Sequence, residues 1–172
     1  KKNNNTIIDL TQLIQDVITL LKNKEDISSE KQIVFKGTTD HLILNGDEEQ
    51  IKQVVWNLCI NALEAMSRGT LTLKLKEVFS FQSGEFQASH RGMVLEVQDE
   101  GCGIALDQID NIYDPFYSSK KNGVGLGLAT VYQIVNRNRG IMDVKSTVGK
   151  GTLFTVFLPD QDSVKPVPMS SH

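Results

Sequence analysis

The feature that most constrains this chain is an apolar strand pattern that ends in a glycine-rich turn. Met93, Leu95 and Val97 recur at every second residue, and Asp99 continues the same phase. Alternate residues of a strand point to the same face of a sheet, so the carboxylate of Asp99 is predicted to enter the interior. Because burial of an unpaired carboxylate is costly, Asp99 needs a hydrogen-bond partner from the protein or from a ligand.

Two groups of glycines near this strand favour a ligand. Gly101 and Gly103 lie in the turn and carry no side chain, so a flat heteroaromatic ring can approach the backbone there. Gly123, Gly125 and Gly127 precede an apolar helix pattern, which predicts free backbone amides at the start of that helix. Such amides bind phosphate. The two groups together predict a nucleotide site.

Composition limits the class of protein. The 172 residues are 40% hydrophobic, which suits a single domain with one core. The formal net charge of -3 gives no electrostatic reason to expect a nucleic-acid partner. Cys59 and Cys102 have no metal-ligand spacing, and a disulfide between them is not expected.

The sequence also bears on location. It contains no apolar run of the roughly 18 residues that a bilayer-spanning helix needs, and no signal peptide. We therefore expect a cytoplasmic chain without direct membrane contact. An excised piece of a membrane-attached parent would look the same.

Hydrophobic periodicity predicts alternating helices and strands. Helices are expected from Asp9, from Asp47 to about Ser67, over 106–113 and after Gly127, and residues 79–91 are interpreted as a loop. The first helix is predicted to bury Leu10, Leu13, Ile14, Val17, Leu20 and Leu21, and the last helix to bury Leu128, Val131, Tyr132 and Val135. Strands are predicted at 6–8, 31–36, 41–44, 71–76, 93–98, 141–147 and 152–158. The domain is predicted to span 1–159, and 160–172 to form a flexible tail or linker.

The helix that begins at Asp47 carries a polar stripe beside its apolar face. At 100° per residue, Asn57, Asn61, Glu64 and Arg68 fall within a stripe about 60° wide. The two asparagines could cap a neighbouring loop. Alternatively, they supply an oxygen ligand for magnesium and a polar contact to phosphate, since Mg²⁺ prefers hard oxygen ligands.

A polar, glycine-terminated stretch lies between the short helix and the last helix. Residues 116–123 contain small and polar side chains and suit a mobile lid, with Lys120 as its charged tip.

Five motifs in this order resemble the GHKL ATP-binding family. They are Asn57-Leu-Cys-Ile-Asn61-Ala62, Asp99-Glu-Gly101-Cys-Gly103-Ile104, Asp114-Pro115-Phe116-Tyr-Ser-Ser-Lys120, Gly123-Val-Gly125-Leu-Gly127-Leu128 and Gly149-Lys-Gly151-Thr152. Within the family, the chain is most similar to the catalytic and ATP-binding domain of sensor histidine kinases of the nitrogen-regulation type. The resemblance runs from about residue 6 to residue 159 and implies an α/β fold. That fold is a two-layer α/β sandwich (Bergerat fold), in which helices cover one side of a mixed, mostly antiparallel sheet.

The resemblance also implies how the base of ATP is bound. Asp99 would accept a hydrogen bond from the exocyclic amine of adenine. Gly103 and Ile104 would shape the base pocket, Thr152 would lie near the polar edge of the base, and Gly101 would also belong to the ATP-binding residues.

At the phosphate end, the resemblance implies three catalytic residues. Asn61 would bind Mg²⁺, Asn57 would lie by the phosphates, and Lys120 would reach the terminal phosphate. Gly125 and Gly127 would donate backbone amides. The remaining residues that the resemblance assigns to ATP binding are Phe116, Gly123, Leu126 and Leu128.

The activity implied is that of a protein-histidine kinase. The γ-phosphate of ATP would pass to a histidine on a separate dimerisation hairpin, and a response regulator would be an indirect partner. None of His41, His90 and His172 lies in the helical context of such an acceptor. We therefore expect this chain to be a fragment that lacks its own acceptor.

Three alternative functions are open. They are a hydrolysing GHKL ATPase of the gyrase or mismatch-repair type, an anti-sigma-factor serine kinase, and a noncatalytic nucleotide-dependent binding module. Asn57 stands where gyrase-type relatives place a glutamate that activates water, so slow hydrolysis is expected. Labelled ATP, with and without a histidine hairpin, distinguishes these alternatives.

Overall fold

The computed structural model describes residues 4–24, 27, 29–37, 40–114 and 127–164. Its helices are α1 (Leu10–Lys22), α2 (Glu48–Ala65), α3 (Leu106–Ile109) and α4 (Gly127–Arg137). Its strands are β1 (Asn5–Asp9), β2 (Lys31–Lys36), β3 (Ile43–Asp47), β4 (Gly69–Val78), β5 (Phe81–Ser83), β6 (Phe86–Ala88), β7 (Gly92–Gln98), β8 (Ile141–Thr147) and β9 (Gly151–Pro159).

A five-stranded sheet with the strand order β2-β4-β7-β9-β8 forms the centre of the fold. The β2–β4 pair is parallel and the other three pairs are antiparallel. Strands β1 and β3 form a separate antiparallel pair, and β5 and β6 form a third. The predicted fold class, a mixed and mostly antiparallel sheet with helices, is confirmed.

The core lies between this sheet and the helices. The inward phase predicted for β7 is present, because Leu95 pairs with Leu75 on β4 and with Val156 on β9, and all three side chains are buried. Helices α1, α2 and α4 contribute their apolar faces to the same cluster of buried residues. The sheet thereby delivers Asp99 at the end of β7, next to α2.

Both long helices near the amino terminus begin at the aspartates that the sequence suggested. The carboxylate of Asp9 accepts a hydrogen bond from the backbone N–H of Gln12, and Asp47 accepts one from Gln50. These contacts satisfy amides that the first helical turn leaves without a partner. Helix α2 is therefore fixed at its start, before it reaches the asparagines of the predicted site.

Four details of the predicted helices were wrong. Helix α2 ends at Ala65, and the extended backbone of Met66 leaves Arg68 outside the helical stripe. Leu20 and Tyr132 are 60% and 43% exposed, although both were predicted to be buried. Neighbouring side chains, Ile18 on α1 and Ile134 on α4, are buried in addition to the correctly predicted positions. Periodicity does not give the packing angle of a helix. That angle decides which side chains at the edge of its apolar face are buried.

The predicted loop over 79–91 contains the β5–β6 hairpin. Phe81 stacks on Phe157 with ring centroids 5.3 Å apart, on the face of the sheet opposite the helices. Phe157 and Val94 point to the face of the sheet away from the helices. The contact with Phe81 explains why they are nevertheless buried. The hairpin therefore covers part of the second face of the sheet.

The start of β3 differs from the prediction. Strand β3 begins at Ile43, so His41 precedes it, and His41 Nδ1 lies 2.6 Å from a carboxylate oxygen of Asp9. After β9, the chain continues in a turn over residues 161–164, where Asp160 and Val164 are both buried. This turn packs against the end of the sheet, where Gln161 donates to the carbonyl of Asn45.

Candidate functional site

Asp99 is buried at the end of β7 and is 3% exposed. Its Oδ1 atom accepts hydrogen bonds from the backbone N–H of Gly101 at 2.8 Å and of Thr152 at 3.3 Å. The backbone N–H of Asp99 in turn donates to the carbonyl of Thr152. The predicted burial is confirmed, and the protein supplies hydrogen bonds that fix the orientation of the carboxylate.

The glycines around Asp99 allow backbone segments to approach each other closely. A Cβ atom on Gly101 would lie 2.5 Å from the carbonyl oxygen of Ala65. Gly103 has a φ of 76°, and a Cβ there would lie 2.3 Å from the carbonyl oxygen of Thr147. Gly151 would similarly meet the carbonyl oxygen of Asp99 at 2.1 Å. These glycines therefore leave no room for a side chain where the end of α2 and the β8–β9 hairpin approach the turn.

Ser146 connects the two sides of the turn and was missed by the sequence analysis. Its hydroxyl accepts a hydrogen bond from the backbone N–H of Ile104 at 2.7 Å and donates to the carbonyl of Gly151 at 3.0 Å. It also shares a hydrogen bond of 2.8 Å with the hydroxyl of Thr152. Ser146 pairs with Thr152 across the β8–β9 hairpin, so the register of that hairpin was a signal that could have identified it.

The carboxyl end of α2 also holds this turn, through two hydrogen bonds. The carbonyl of Ala65 accepts a hydrogen bond from the backbone N–H of Cys102 at 3.1 Å. The sulfur of Met66, a buried residue, lies 3.2 Å from the backbone nitrogen of Glu100, which donates to it. These two contacts of α2 were also missed, because nothing in the local sequence pairs 65–66 with 100–102.

One face of α2 connects the Asp99 turn to α4. Asn57, Asn61 and Ala65 follow at intervals of four residues and so lie along one face, about 12 Å long by helical rise. At one end, Ala65 contacts the turn. At the other end, Asn57 Nδ2 donates to the carbonyl of Gly127, the first residue of α4, at 3.4 Å. The asparagines therefore lie between the turn and the start of α4.

The two helices run antiparallel, and a second polar contact joins their far ends. Asn138, just beyond α4, donates from Nδ2 to Oε1 of Gln50 on the first turn of α2 at 2.8 Å. Asn138 is 5% exposed and also donates to the carbonyl of Ile134. Polar contacts at both ends fix how α4 lies against the asparagine face of α2.

The donor set of this face fits Mg²⁺ when phosphate and water complete the coordination. Asn61 is partly buried and carries an amide oxygen of the hard type that Mg²⁺ accepts. Within the described residues, no group of three His, Cys, Asp or Glu side chains is arranged to hold a metal ion. Mg²⁺ commonly keeps water and phosphate ligands, so a site in which the protein supplies one amide oxygen is typical of this ion.

Two tyrosines pack against each other next to the start of α4. The rings of Tyr113 and Tyr132 are stacked, with centroids 4.9 Å apart and planes inclined by 15°. Burial raises the pKa of Tyr113 to about 12, with smaller contributions from the nearby Asp143 and Tyr132. Its hydroxyl is therefore neutral at physiological pH. The helical pattern placed Tyr132 on the buried face of α4, so this pair was not predicted.

Neither cysteine takes part in a disulfide, as expected. Cys59 is buried in α2, and this burial raises the pKa of its thiol to about 12. A thiol that stays protonated and inaccessible has no role as a nucleophile. Cys102 is exposed on the turn next to Gly101 and Gly103.

A cleft of about 880 Å³ opens beside the Asp99 turn at the carboxyl end of α2. Gly101 lines it together with Glu64, Arg68 and Glu100. The backbone N–H of Thr70 donates to Glu100 at 3.0 Å, so this carboxylate is held by the start of β4. Asp99 and Thr152 do not line this cleft, which therefore lies outside the centre of the predicted adenine pocket.

The structure brings the described members of the predicted site together in two groups. Asp99, Gly101, Ile104 and Thr152 are linked through hydrogen bonds around the turn, and Gly103 packs within it. Asn57 contacts Gly127, and Leu128 follows in α4 with a partly buried side chain. Five predicted residues lie outside the described residues: Phe116, Lys120, Gly123, Gly125 and Leu126. The predicted lid lies there too.

Residues 46–162 match the family described as histidine kinase-, DNA gyrase B- and HSP90-like ATPases. The chain is 35% identical over 153 residues to sensor histidine kinase ZraS of Salmonella typhi, covering 88% of this chain and 30% of that protein. It is 37% identical over 154 residues to sporulation kinase C of Bacillus subtilis, covering 87% of this chain and 33% of that protein. The chain thus spans about a third of the length of the curated relatives it matches.

Solved structures with the same fold include the catalytic domain of histidine kinase ThkA. The TM-score is 0.76 at 24% identity, and the likeness covers 93% of this chain and 99% of that one. Full-length ShkA in complex with AMPPNP also has a TM-score of 0.76, at 21% identity, covering 92% of this chain and 32% of that one. Within the described residues, none of the helices combines the length and apolar character needed to cross a membrane.

Proposed function

Because the chain belongs to the family of histidine kinase-, DNA gyrase B- and HSP90-like ATPases and has the role of an ATP-binding catalytic domain, we propose that it transfers the γ-phosphate of ATP to a histidine. The acceptor lies on a separate dimerisation hairpin of the same kinase, and a response regulator receives the phosphoryl group afterwards. The finer assignment to the nitrogen-regulation type is part of the same proposal. So is a cytoplasmic location.

The observation that carries this proposal is the fixed carboxylate of Asp99. Two backbone N–H groups, from Gly101 and Thr152, hold its Oδ1 atom at the end of β7. A buried carboxylate held in one orientation is suited to accept a hydrogen bond from the exocyclic amine of adenine. Guanine presents a carbonyl at the corresponding position, so the same carboxylate disfavours GTP.

The residues for the phosphate end lie about one to two helical turns from Ala65 along α2. Asn61 supplies an amide oxygen for Mg²⁺, and Asn57, beside Gly127, contacts the phosphates. Bound Mg²⁺ would neutralise charge on the phosphate oxygens. The backbone amides of Gly125 and Gly127 and the ammonium group of Lys120 complete the set of groups that bind the phosphates.

This arrangement suits phosphoryl transfer. The transition state is loose, so the protein contributes position and charge neutralisation more than a nucleophile. The attacking imidazole comes from the hairpin. Asn57 carries no base that could activate water, so hydrolysis is slow and transfer to histidine is favoured.

Labelled ATP tests the proposal. The chain is mixed with γ-labelled ATP and Mg²⁺, either alone or with a purified histidine hairpin from a related kinase. Label on the hairpin histidine is the expected result. Release of phosphate without the hairpin would favour a hydrolysing ATPase, and label on a serine of a protein partner would favour a serine kinase. ATP binding without transfer or hydrolysis would favour a noncatalytic nucleotide-dependent module.

Asp99→Asn is the matching variant. The amide can still accept the two backbone hydrogen bonds, but its nitrogen then faces the adenine amine, so affinity should fall by at least about 1.5 kcal/mol. Asp107→Asn, at an exposed position on α3, is the control for loss of one negative charge. Unchanged discrimination between ATP and GTP by Asp99→Asn in calorimetric titration would contradict the assigned role.

A further inference from the structure

The hydroxyl of Ser146 lies at the centre of three hydrogen bonds beside the Asp99 turn. It contacts the backbone N–H of Ile104 at 2.7 Å, the carbonyl of Gly151 at 3.0 Å and the hydroxyl of Thr152 at 2.8 Å. Thr152 is 5% exposed, and its backbone N–H donates to the carboxylate of Asp99. Ser146 is therefore linked to Asp99 through a single residue.

The number of protons on each group fixes the direction of the bond between the two hydroxyls. A serine hydroxyl has one proton to donate and two lone pairs that accept. The N–H of Ile104 can only donate to Ser146, and the carbonyl of Gly151 can only accept from it. All three contacts are hydrogen bonds in only one arrangement, in which Ser146 accepts the proton of Thr152. The hydroxyl of Thr152 then has no proton left for a ligand and can only accept.

Burial makes this arrangement the favoured one. Ser146 is partly buried on β8, opposite the buried Thr152 on β9. If the bond were reversed, the carbonyl of Gly151 would lose its side-chain donor, and a polar group without a partner is costly where water is excluded. The same count leaves Ser146 itself no hydrogen-bonding capacity for a nucleotide.

We propose that Ser146 is a positioning residue that determines base specificity, because it makes Thr152 a hydrogen-bond acceptor. Asp99 and Thr152 then present two acceptors, a carboxylate and a hydroxyl oxygen, from one hydrogen-bonded group. Two acceptors select a base that donates from an exocyclic amine, and they disfavour a base without that donor. This inference rests on the proposed function, since the nucleotide site is the one proposed there.

Loss of the Ser146 hydroxyl should relax this selection. The proton of Thr152 is then released, so its hydroxyl can rotate and donate to a base that lacks the amine. The phosphate end, at Asn57 and Asn61 on α2, keeps its contacts. A purely structural role of Ser146 would weaken the binding of every nucleotide by the same factor, so the ratio of affinities for two bases distinguishes the two roles.

The experiment compares ATP and ADP with purine riboside triphosphate, which lacks the exocyclic amine. Ser146→Ala removes the hydroxyl, whereas Ser146→Thr keeps it. Ser163 donates to the carbonyl of Asp160 at 2.6 Å, beyond the end of β9 that is distant from Thr152, so Ser163→Ala is a matched loss of a hydrogen-bonded serine hydroxyl. For each chain, Kd values are measured with Mg²⁺ by calorimetry, the Tm by thermal denaturation, and KM and kcat by phosphate transfer to the histidine hairpin.

The wild-type chain should bind ATP at least about tenfold more tightly than purine riboside triphosphate, as expected for hydrogen bonds to a charged group. In Ser146→Ala this ratio should fall by about threefold or more. The Kd values for ATP and ADP should rise by the same factor, and KM should rise at an unchanged kcat. Ser146→Thr and Ser163→Ala should keep the wild-type ratio.

An unchanged ratio in Ser146→Ala would overturn the inference, whether or not the affinity for ATP falls. If Ser146→Ala does not fold, Ser146→Cys decides, because a thiol occupies a similar position but forms only weak hydrogen bonds. The ratio should fall in that variant as well, and a wild-type ratio there would overturn the inference. Failure of the wild-type chain to bind ATP would instead overturn the proposed function itself.

Discussion

Arg91 Nη1 lies 2.7 Å from Oδ2 of Asp160, at the end of the β7–β9 strand pair where Gly92 pairs with Pro159. The same guanidinium donates from Nη2 to the carbonyl of Ile43 at 2.7 Å and from Nε to Glu77 at 3.3 Å. Asp160 also accepts hydrogen bonds from the backbone and side-chain amides of Asn45. This ion pair therefore joins the small β1–β3 sheet to the central sheet.

The ion pair should be a main source of stability at this end of the fold. Arg91→Met removes the cation and leaves the carboxylate of Asp160, whose side chain is 7% exposed, without its charged partner. Breaking a buried pair costs about 3–5 kcal/mol, and the partial exposure of Arg91 reduces the expected loss in unfolding free energy to about 2 kcal/mol. Urea denaturation measures this loss in unfolding free energy. Glu77→Gln, which affects only the more exposed contact of Arg91, should cost less than about 1 kcal/mol, and an equal effect of the two variants would contradict this assignment.

Local patterns predicted much of the fold. The alternation of Met93, Leu95 and Val97 predicted that Asp99 points inward. Helical periodicity predicted the buried positions Leu10, Leu13 and Ile14 on α1. These predictions succeed because burial on a strand or helix repeats at a period that the sequence itself displays. The glycines of the turn were also recognised, and the structure adds a packing reason for them. They make room for the backbone of α2 and of the β8–β9 hairpin.

Contacts between distant parts of the chain could not be predicted in this way. Arg91 and Asp160 are 69 positions apart, and the parallel pairing of β2 with β4 has no local signature. The β5–β6 hairpin was interpreted as a loop because each of its strands has only three residues, too few for a period to show. The Tyr113–Tyr132 contact likewise depends on helix orientation, which is set by tertiary packing.

Gly103 should be irreplaceable by alanine at the candidate site. Its φ of 76° disfavours any L side chain, and a Cβ would lie 2.3 Å from the carbonyl oxygen of Thr147. Gly103→Ala must therefore displace the turn that holds Asp99, and ATP binding should be lost. Gly84→Ala is the matched control, because Gly84 has a φ of 58° with open space around it. The control should cost about 1 kcal/mol of stability and leave ATP affinity intact in calorimetry. Normal ATP affinity of Gly103→Ala would refute the role of the turn.

Arg139 adopts a left-handed backbone conformation with a φ of 61°, while its Nη1 donates to the carbonyl of Val164 at 3.0 Å. The strain and the hydrogen bond can be separated by two variants. Arg139→Ala loses the hydrogen bond and keeps the strain, whereas Arg139→Gly loses both. The glycine variant should therefore be more stable than the alanine variant by about 1 kcal/mol. Thermal denaturation of the two chains measures the difference, and an alanine variant as stable as the glycine variant would show that the conformation is not strained.

Asn61→Asp should change the dependence of ATP binding on magnesium. An added carboxylate repels the phosphates when the metal is absent, but it can replace the amide oxygen as a ligand when Mg²⁺ is present. ATP affinity without Mg²⁺ should fall by about tenfold, while affinity with Mg²⁺ is largely retained. Asn136→Asp adds the same charge at an exposed position of α4. It should leave the ratio of the ATP affinities with and without Mg²⁺ unchanged. If Asn61→Asp had the wild-type ratio and an unchanged circular dichroism melt, the metal assignment would be wrong.

Lys120→Ala should distinguish the terminal phosphate from the rest of the nucleotide. In the proposed function, the ammonium group contacts only the γ-phosphate, which ADP lacks. A charge-assisted hydrogen bond contributes about 1.5–3 kcal/mol, so ATP affinity and transfer to the histidine hairpin should fall by at least about tenfold. ADP affinity should change by less than about twofold, since the base and the first two phosphates keep their contacts. Lys121→Ala, at the adjacent lysine, removes the same charge and is expected to leave both affinities unchanged. An equal loss for ATP and ADP in the Lys120 variant would mean that this lysine acts through general electrostatic attraction and that another group binds the γ-phosphate.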